Sequence, residues 1–315
     1  MRVDNDLPRR ADGDAPVALT IGNFDGVHRG HVALLDSVRS VAEGLGAETA
    51  VLTFDPNPRC VLDPPNCPLS LTTLAEKQSV LAAYGVDRLA VLRFTRQVSG
   101  WGAEQFCDIL RSAYDLRALV VGYDFALGHK RKGDVAFLRD YGSRHGIAVL
   151  QVGEVLGGAE AVSSSRARAL VSAGDVAGAA SLLGRPYFID ARVEHGEEVG
   201  RHLGFPTANL SIAPDKCLPA PGVYAMWVRV DGVWHPAATN VGYRPTFGGD
   251  RLTVEAYLLD FSGDLYDRDV RAVFVDRLRE ERTYPNVEEL VAQIATDVED
   301  VRALLGRGAP PAQLG

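Results

Sequence analysis

Val17–Leu35 reads VALTIGNFDGVHRGHVALL. Its apolar opening breaks at Gly22, and the chain turns through Asn23, Phe24, Asp25 and Gly26. His28 and His31 follow at i, i+3, and a helical pattern then runs on through Leu34, Leu35, Val38 and Val41. The pattern is a strand, a glycine-bearing turn and a helix whose first turn carries two imidazoles. Backbone N–H groups at a helix N-terminus favour anions. Two histidines one turn apart can donate to the same phosphate chain. The spacing points to a nucleoside triphosphate site.

Outward from this segment the first half alternates. Strand-like runs at Val17–Ile21, Thr49–Phe54, Leu89–Phe94, Ala118–Gly122 and Ala148–Val152 are separated by helical patterns, clearest at His31–Ala42, Glu104–Tyr114 and Asp134–His145. Apolar runs spaced by helix-length segments predict βαβ units and a parallel sheet. Such sheets bind ligands at the carboxyl ends of their strands, where the opening motif lies. Ser165–Leu183 reads as two short helices broken at Gly174-Asp175. Beyond Gly184 the texture changes to short β-like runs at Phe188–Glu194, Gly222–Val230, Val233–Asn240, Leu252–Leu259 and Val270–Leu278. Close strands with turns such as Asp231-Gly232 predict an antiparallel barrel or sandwich. Val287, Leu290, Val291, Ile294, Val298, Val301 and Leu304 mark one face of a terminal helix.

The chain of 315 residues is long enough for two domains. No apolar run is long enough for a membrane span, and the polar start MRVDNDLPRRADGDAP lacks the apolar core of a signal peptide. The net charge of −8 argues against a general nucleic-acid binder. Cys60, Cys67, Cys107 and Cys217 show no CxxC spacing, which argues against structural zinc and a disulfide framework and for a reducing cytoplasm. The expected division is a flexible lead-in over 1–15, a nucleotide-binding half over 16–184, a β-rich half over 185–306 and a disordered tail over 307–315.

Four segments of the first half carry candidate chemistry: Gly22–His31; Thr53-Phe54-Asp55-Pro56-Asn57-Pro58-Arg59, stiffened by two prolines; Val121–Gly128 with Asp124 and Phe125; and Ser163–Arg168. In the last, hydroxyls including that of Ser164 cap a helix and Arg168 projects from its first turn, a combination suited to a triphosphate or a leaving pyrophosphate. Taken singly, each is as readily a loop or a cap. Their common position past strands or at a helix start gives the set its weight. In the second half, His195–Leu210 places Gly196, Gly200 and Gly204 before Pro206, Thr207 and Asn209. The glycines allow close backbone approach, and the hard oxygens at alternate positions suit Mg²⁺ bridging phosphates. Glu255 sits between Val254 and Ala256 in an apolar strand, either as a solvated residue or as a general base.

GNFDGVHRGH resembles the HxGH signature of the nucleotidyltransferase superfamily and SSSRAR its ISSTxxR partner. With TFDPNPR and VVGYDF, the set is similar to the adenylyltransferase half of the prokaryotic bifunctional riboflavin kinase/FAD synthetases. GRHLGFPTANL, GVYA, NVGYRPTF, VEAYLLDF and LYDRDVRAVFVDRLREE resemble, in order, the riboflavin kinase module of the same family, from about Tyr187 to Leu305. The sequence departs from the family pattern at Asn57, at Ala126-Leu127, and at Ser165 and Ala167.

The resemblance implies a Rossmann-type, nucleotidyltransferase-like parallel sheet followed by an antiparallel β-barrel with a C-terminal helix. It implies phosphorylation of riboflavin to FMN and adenylylation of FMN to FAD, with ATP, riboflavin, FMN and FAD as the partners. Mg²⁺ is implied, with no tightly bound redox cofactor, no nucleic acid and no membrane. His28 and His31 would contact ATP phosphates. Gly22, Asn23, Phe24, Asp25, Gly26, Asp124, Ser164 and Arg168 would line the nucleotide, with Asn57, Pro58 and Phe125 near the flavin. In the kinase half, Gly204, Pro206, Thr207 and Asn209 would hold nucleotide, Thr207 and Asn209 the metal, and Arg244 the flavin, with Glu255 as base. A kinase with an inactive or altered first half is the alternative, and a flavin-binding regulator a more remote one.

Overall fold

A computed structural model describes residues 1–196, 200, 203–246, 249–306, 308 and 310. By contacts the chain divides into two compact units, one made of Met1–Leu69 and Lys77–Ser163, the other of Ser70–Glu76 and Ser164–Gly315.

The first unit is a six-stranded parallel sheet. Its strands are β1 (Arg2–Asp4), β2 (Pro16–Ile21), β3 (Glu48–Asp55), β4 (Arg88–Arg93), β5 (Asp115–Val121) and β6 (Ala148–Gln151), in the order β1-β4-β3-β2-β5-β6. Helices α1 (Arg29–Leu45), α2 (Pro58–Leu62), α3 (Leu74–Ala83), α4 (Arg96–Ser99), α5 (Ala103–Ala113) and α6 (Val135–His145) connect them, and a small hairpin of β7 (Leu156–Gly157) and β8 (Glu160–Ala161) follows. The central strands β2 and β3 are buried along nearly their whole length, Thr20 and Thr53 included, because both faces are covered. Val17, Leu19, Ile21, Leu52 and Leu119 pack against Phe106 and Leu110 of α5 and Leu138 and Tyr141 of α6, while α1 packs on β2, β3 and β5.

Two features differ from the sequence reading. Arg2–Asp4, within the stretch expected to be a flexible lead-in, pairs in parallel with Arg88–Ala90 of β4. Cys60 and Cys67 form a disulfide, where the scattered spacing argued against a disulfide framework; the tight turn Pro64–Asn66 brings the chain back between them.

The second unit is a closed antiparallel barrel. Its strands are β9 (Phe188–Glu194), β10 (Ala208–Ser211), β11 (Gly222–Val230), β12 (Val233–Thr246), β13 (Gly249–Leu258) and β14 (Asp269–Glu280), in the order β10-β13-β12-β11-β14-β9. Closure removes the exposed edges that a sandwich would leave. Helices α7 (Ser164–Ser172) and α8 (Val176–Leu183) precede it, and α9 (Val287–Leu305) follows. Val298, Val301 and Leu305 of α9 bury against Ala225, Ala238 and Leu259 on the outside of the barrel. A bidentate pair fixes the helix, Arg279 Nε to Asp297 Oδ1 at 2.9 Å and Nη2 to Oδ2 at 2.7 Å.

Ser70–Glu76 supplies this unit with a buried ion pair. Glu76, wholly buried, meets Lys216, whose ammonium also donates to Leu71 O (2.8 Å) and Phe188 O (3.1 Å). The other carboxylate oxygen of Glu76 accepts from Asp190 N at 2.8 Å. Thr73 and Glu76 form a reciprocal capping box at the start of α3, at 2.7 and 3.2 Å. Among the described residues no helix is long and apolar enough to cross a membrane.

Candidate active sites

In the first unit, β2 has β3 on one side and β5 on the other, so the strand order reverses at β2/β5. In open α/β sheets the crevice beyond the carboxyl ends of such strands is the ligand position. Thr20 pairs with Val120, which sets the Gly22–His28 loop beside the Gly122–Phe125 turn. The loop is tightly held. Phe24 (φ 47°) and Val27 (φ 41°) are left-handed non-glycine residues, joined by Gly26 at 76°. Both side chains are fully buried, and the apolar anchorage offsets a conformation that costs roughly 1–3 kcal/mol per residue.

His28 caps α1. Its Nδ1 accepts from His31 N at 3.3 Å, so a neutral His28 ring carries its proton on Nε2. The two imidazoles stack with centroids 3.7 Å apart, and Phe24 lies 4.8 Å from His31. The helix start thus presents backbone N–H groups and two stacked imidazoles together, an arrangement able to stabilise polyphosphate charge.

Beneath the loop lies a group the sequence reading missed. Lys77, buried at 8% exposure, places Nζ 2.8 Å from Asn23 O and 3.3 Å from Thr53 Oγ1, and Thr53 donates to Asn23 O at 3.0 Å. Burial pushes the Lys77 pKa down, and the charges of Asp25 and Asp55 oppose that shift.

Of the remaining expected residues in this unit, Asn57 caps α2, its Oδ1 accepting from Arg59 N at 3.0 Å, with Pro58 as the first helical residue. Asp124 and Phe125 lie just past β5, where Phe125 N donates to Gly122 O at 3.2 Å and Arg131 donates to Asp124 O. Leu127, one of the departures from the family pattern, is buried in the core at 6% exposure and pairs with Gly133 through both backbone bonds. It is a packing residue, not an exposed platform. Ser164 and Arg168 stand on α7, which groups with the second unit, and Ala167 between them is fully buried.

In the barrel, register assembles the site. Asn209 of β10 lies opposite Glu255 of β13, and Glu255 lies opposite Asn240 of β12. Their neighbours Ala208, Leu210, Val254, Ala256, Thr239 and Val241 are buried, so alternation turns Asn209, Glu255 and Asn240 to the other face of the wall. Asn240 was quoted in the sequence only as part of a motif. Its place beside Glu255 emerges from the register of β12 against β13.

The glycines before β10 have a more specific task than ligand approach. A Cβ on Gly196 would lie 2.0 Å from Asn209 Nδ2, and one on Gly200 would lie 2.4 Å from Phe205 O and 3.2 Å from Thr207 Oγ1. These glycines make room for Asn209 and Thr207 themselves, whereas Gly204 meets a left-handed turn at φ 85°. Pro206 and Thr207 line a cleft of about 380 Å³ with Val193, Leu258, Phe261 and Tyr266, a size suited to a small-molecule ligand. Arg244 belongs to β12, but its side chain lies outside the described residues, as do Arg201 and His202 of the glycine-rich stretch.

Comparison with known proteins finds two families in succession along the chain. A family model described as FAD synthetase matches residues 11–166, and one described as riboflavin kinase matches residues 183–305. A bifunctional riboflavin kinase/FMN adenylyltransferase of Pseudomonas fluorescens is 41% identical over 292 residues, 92% of this chain and 93% of the relative. Its namesake in Escherichia coli K12 is 38% identical over 296 residues, 93% and 94% of the two chains. A crystal structure described as a macrolide-efflux protein of Streptococcus pneumoniae matches with a TM-score of 0.88 at 30% identity, covering 96% of this chain and 99% of that one. Two successive family matches and relatives of matching length lead to one assignment: the chain belongs to the bifunctional riboflavin kinase/FMN adenylyltransferase family.

Proposed function

We propose that this protein makes FAD from riboflavin in two ATP-dependent steps, phosphorylation to FMN at the barrel and adenylylation of FMN at the parallel-sheet site. The observation that carries the reading is the ladder that sets Glu255 directly against Asn209, with Thr207 two residues earlier on the same strand approach.

In the kinase step Glu255 accepts the proton of the riboflavin 5′-hydroxyl as that oxygen bonds to the γ-phosphorus and the bond to ADP breaks. Phosphoryl transfer depends on positioning and charge neutralisation more than on covalent chemistry. The oxygen donors of Thr207 and Asn209, beside the Glu255 carboxylate, fit Mg²⁺, a hard cation that prefers oxygen ligands. Thr207 and Asn209 would hold it, and when bound it neutralises phosphate charge. Gly204 and Pro206 shape the nucleotide side of the cleft, and Arg244 is proposed to meet the flavin.

In the second step a phosphate oxygen of FMN attacks the α-phosphorus of ATP and pyrophosphate leaves. The start of α1, with Gly22–Gly26, stabilises the growing charge through backbone N–H groups and the imidazoles of His28 and His31. Asp124, Ser164 and Arg168 are proposed for the nucleotide, and Asn57, Pro58 and Phe125 for the flavin. The functional halves drawn at 16–184 and 185–306 therefore cross the structural division at Ser163, because α7 belongs to the barrel unit. The partners are small molecules, and the proposed setting is the cytoplasm.

Incubating the protein with riboflavin, ATP and Mg²⁺ and resolving the flavins by chromatography tests the reading. FAD is the expected product. FMN alone would reduce the function to a kinase, unchanged riboflavin would refute the kinase step, and no FAD from supplied FMN would refute the adenylylation.

A further inference from the structure

The Gly22–His28 loop holds a conformation that its own residues resist. Phe24 and the β-branched Val27 both sit at positive φ, and such positions persist only where the surroundings over-determine them. Burial of the Phe24 and Val27 side chains holds the second half of the loop. The entrance to the loop is held at one atom, the carbonyl oxygen of Asn23. It accepts from Lys77 Nζ at 2.8 Å and from Thr53 Oγ1 at 3.0 Å, and the Lys77 amine reaches Thr53 Oγ1 at 3.3 Å. Asn23 itself is exposed, while Thr53 has no exposed surface and Lys77 very little. A solvated loop residue is therefore clamped from inside the protein by a closed triangle of polar atoms.

The charge in that triangle is uncommon. A buried lysine is unfavourable unless its ammonium is satisfied, and a methionine or leucine would fill the same volume without that penalty. The two aspartates whose charges favour the ammonium, Asp25 and Asp55, flank the carboxyl ends of β2 and β3. The lysine thus lies under the site and not against a surface partner.

We infer that Lys77 is a positioning residue for adenylyl transfer, fixing the Gly22–His28 loop through Asn23 so that the α1 N-terminus and its two imidazoles meet the triphosphate in register. The inference rests on the adenylyltransferase reading of this site. Lys77 touches no reacting atom in this account. Its effect passes through the Asn23 carbonyl, and a misplacement of about 1 Å at a reacting centre can cost about 10²-fold in rate.

The test is FAD formation from supplied FMN and ATP, with FMN formation from riboflavin as the second readout on the same protein. Lys77→Met is expected to lower kcat for FAD formation by about ten- to a hundredfold, with KM for FMN and the kinase rate at wild-type values. Thr53→Val, which removes one corner of the triangle and leaves only the contact of Lys77 with Asn23 O while keeping the side-chain volume, is expected to show a smaller loss of the same kind, with recovery in Thr53→Ser. Lys77→Ala is expected to regain activity with added ethylammonium and not with sodium chloride at equal ionic strength, a response that a purely structural role would not give. Wild-type kcat in Lys77→Met, or parallel loss of both activities in Lys77→Met and Thr53→Val, would overturn the inference. Wild-type protein that forms no FAD would instead refute the underlying reading.

Discussion

Substitution of Gly196 by alanine is a sharp test of the barrel site because it touches neither substrate nor base. The added Cβ would lie 2.0 Å from Asn209 Nδ2, 2.6 Å from its Cγ and 2.9 Å from its Oδ1. Ordinary van der Waals contact begins near 3.4 Å, so the carboxamide must retreat by more than 1 Å. The backbone at Gly196 is not left-handed, and alanine fits there without φ strain. The obstructing group is the end of a side chain, which can rotate away. The fold is therefore expected to survive while Asn209 leaves its position opposite Glu255. A displacement of that size corresponds to roughly a hundredfold loss of turnover. The assay is FMN formation from riboflavin and ATP, with FAD formation from supplied FMN as the internal control. Gly196→Ala is expected to lose FMN formation and keep FAD formation. FMN formation at the wild-type rate would show that the Asn209 carboxamide is not needed where the structure places it.

Further expectations follow from the same geometry. Glu255→Gln keeps the shape of the ladder and removes the base, so kinase turnover should fall by about 10²–10⁴-fold while ATP binding by calorimetry stays close to wild type; unchanged turnover would remove Glu255 from the mechanism. His28→Ala should stop FAD formation from FMN and spare FMN production. His28→Asn should recover the helix cap, read as thermal stability, and not the activity. If FAD synthesis survived both changes, the imidazole would have no part in the phosphate grip.

Much of this architecture was legible in the sequence because burial writes itself into composition. Val17–Ile21 and its companions are predominantly apolar because both faces of the parallel sheet are covered, and the runs after Gly184 are marked off by close turns because the barrel strands are antiparallel neighbours. Among the elements that escaped is β10. Four residues are too few to establish a period, although Asn209 lies on it. Strand β12 also continues through Thr246, beyond the expected end at Asn240, because Val241–Thr246 keeps pairing with β13. Register was out of reach for a different reason. The meeting of Asn209 with Glu255 depends on pairing of two strands that are not neighbours in sequence, and that of Glu255 with Asn240 on the register of the β12–β13 pair. Lys77 was invisible because one lysine on a helix reads as a solvated residue. The Thr73-x-x-Glu76 capping signature could have located the start of its helix, but not the burial of its amine. The pairing of Cys60 with Cys67 left no sequence signal at all.

The ion pair of Glu76 with Lys216 decides how the polypeptide can be taken apart. A kinase fragment cut at 164 or 185 carries Lys216 but leaves behind the carboxylate of Glu76 and the carbonyl of Leu71. Removing one partner of a buried pair costs about 3–5 kcal/mol, a large share of the 5–15 kcal/mol that typically holds a domain together. The fragment 164–315 is expected to melt well below its Lys216→Met version in a thermal scan; an equal or higher melting point for the unmodified fragment would show that Glu76 is dispensable. Gene fission between the two activities would thus demand repair at a residue with no proposed role in either reaction, which gives the fused chain a reason to stay fused that has nothing to do with passing FMN from one site to the other.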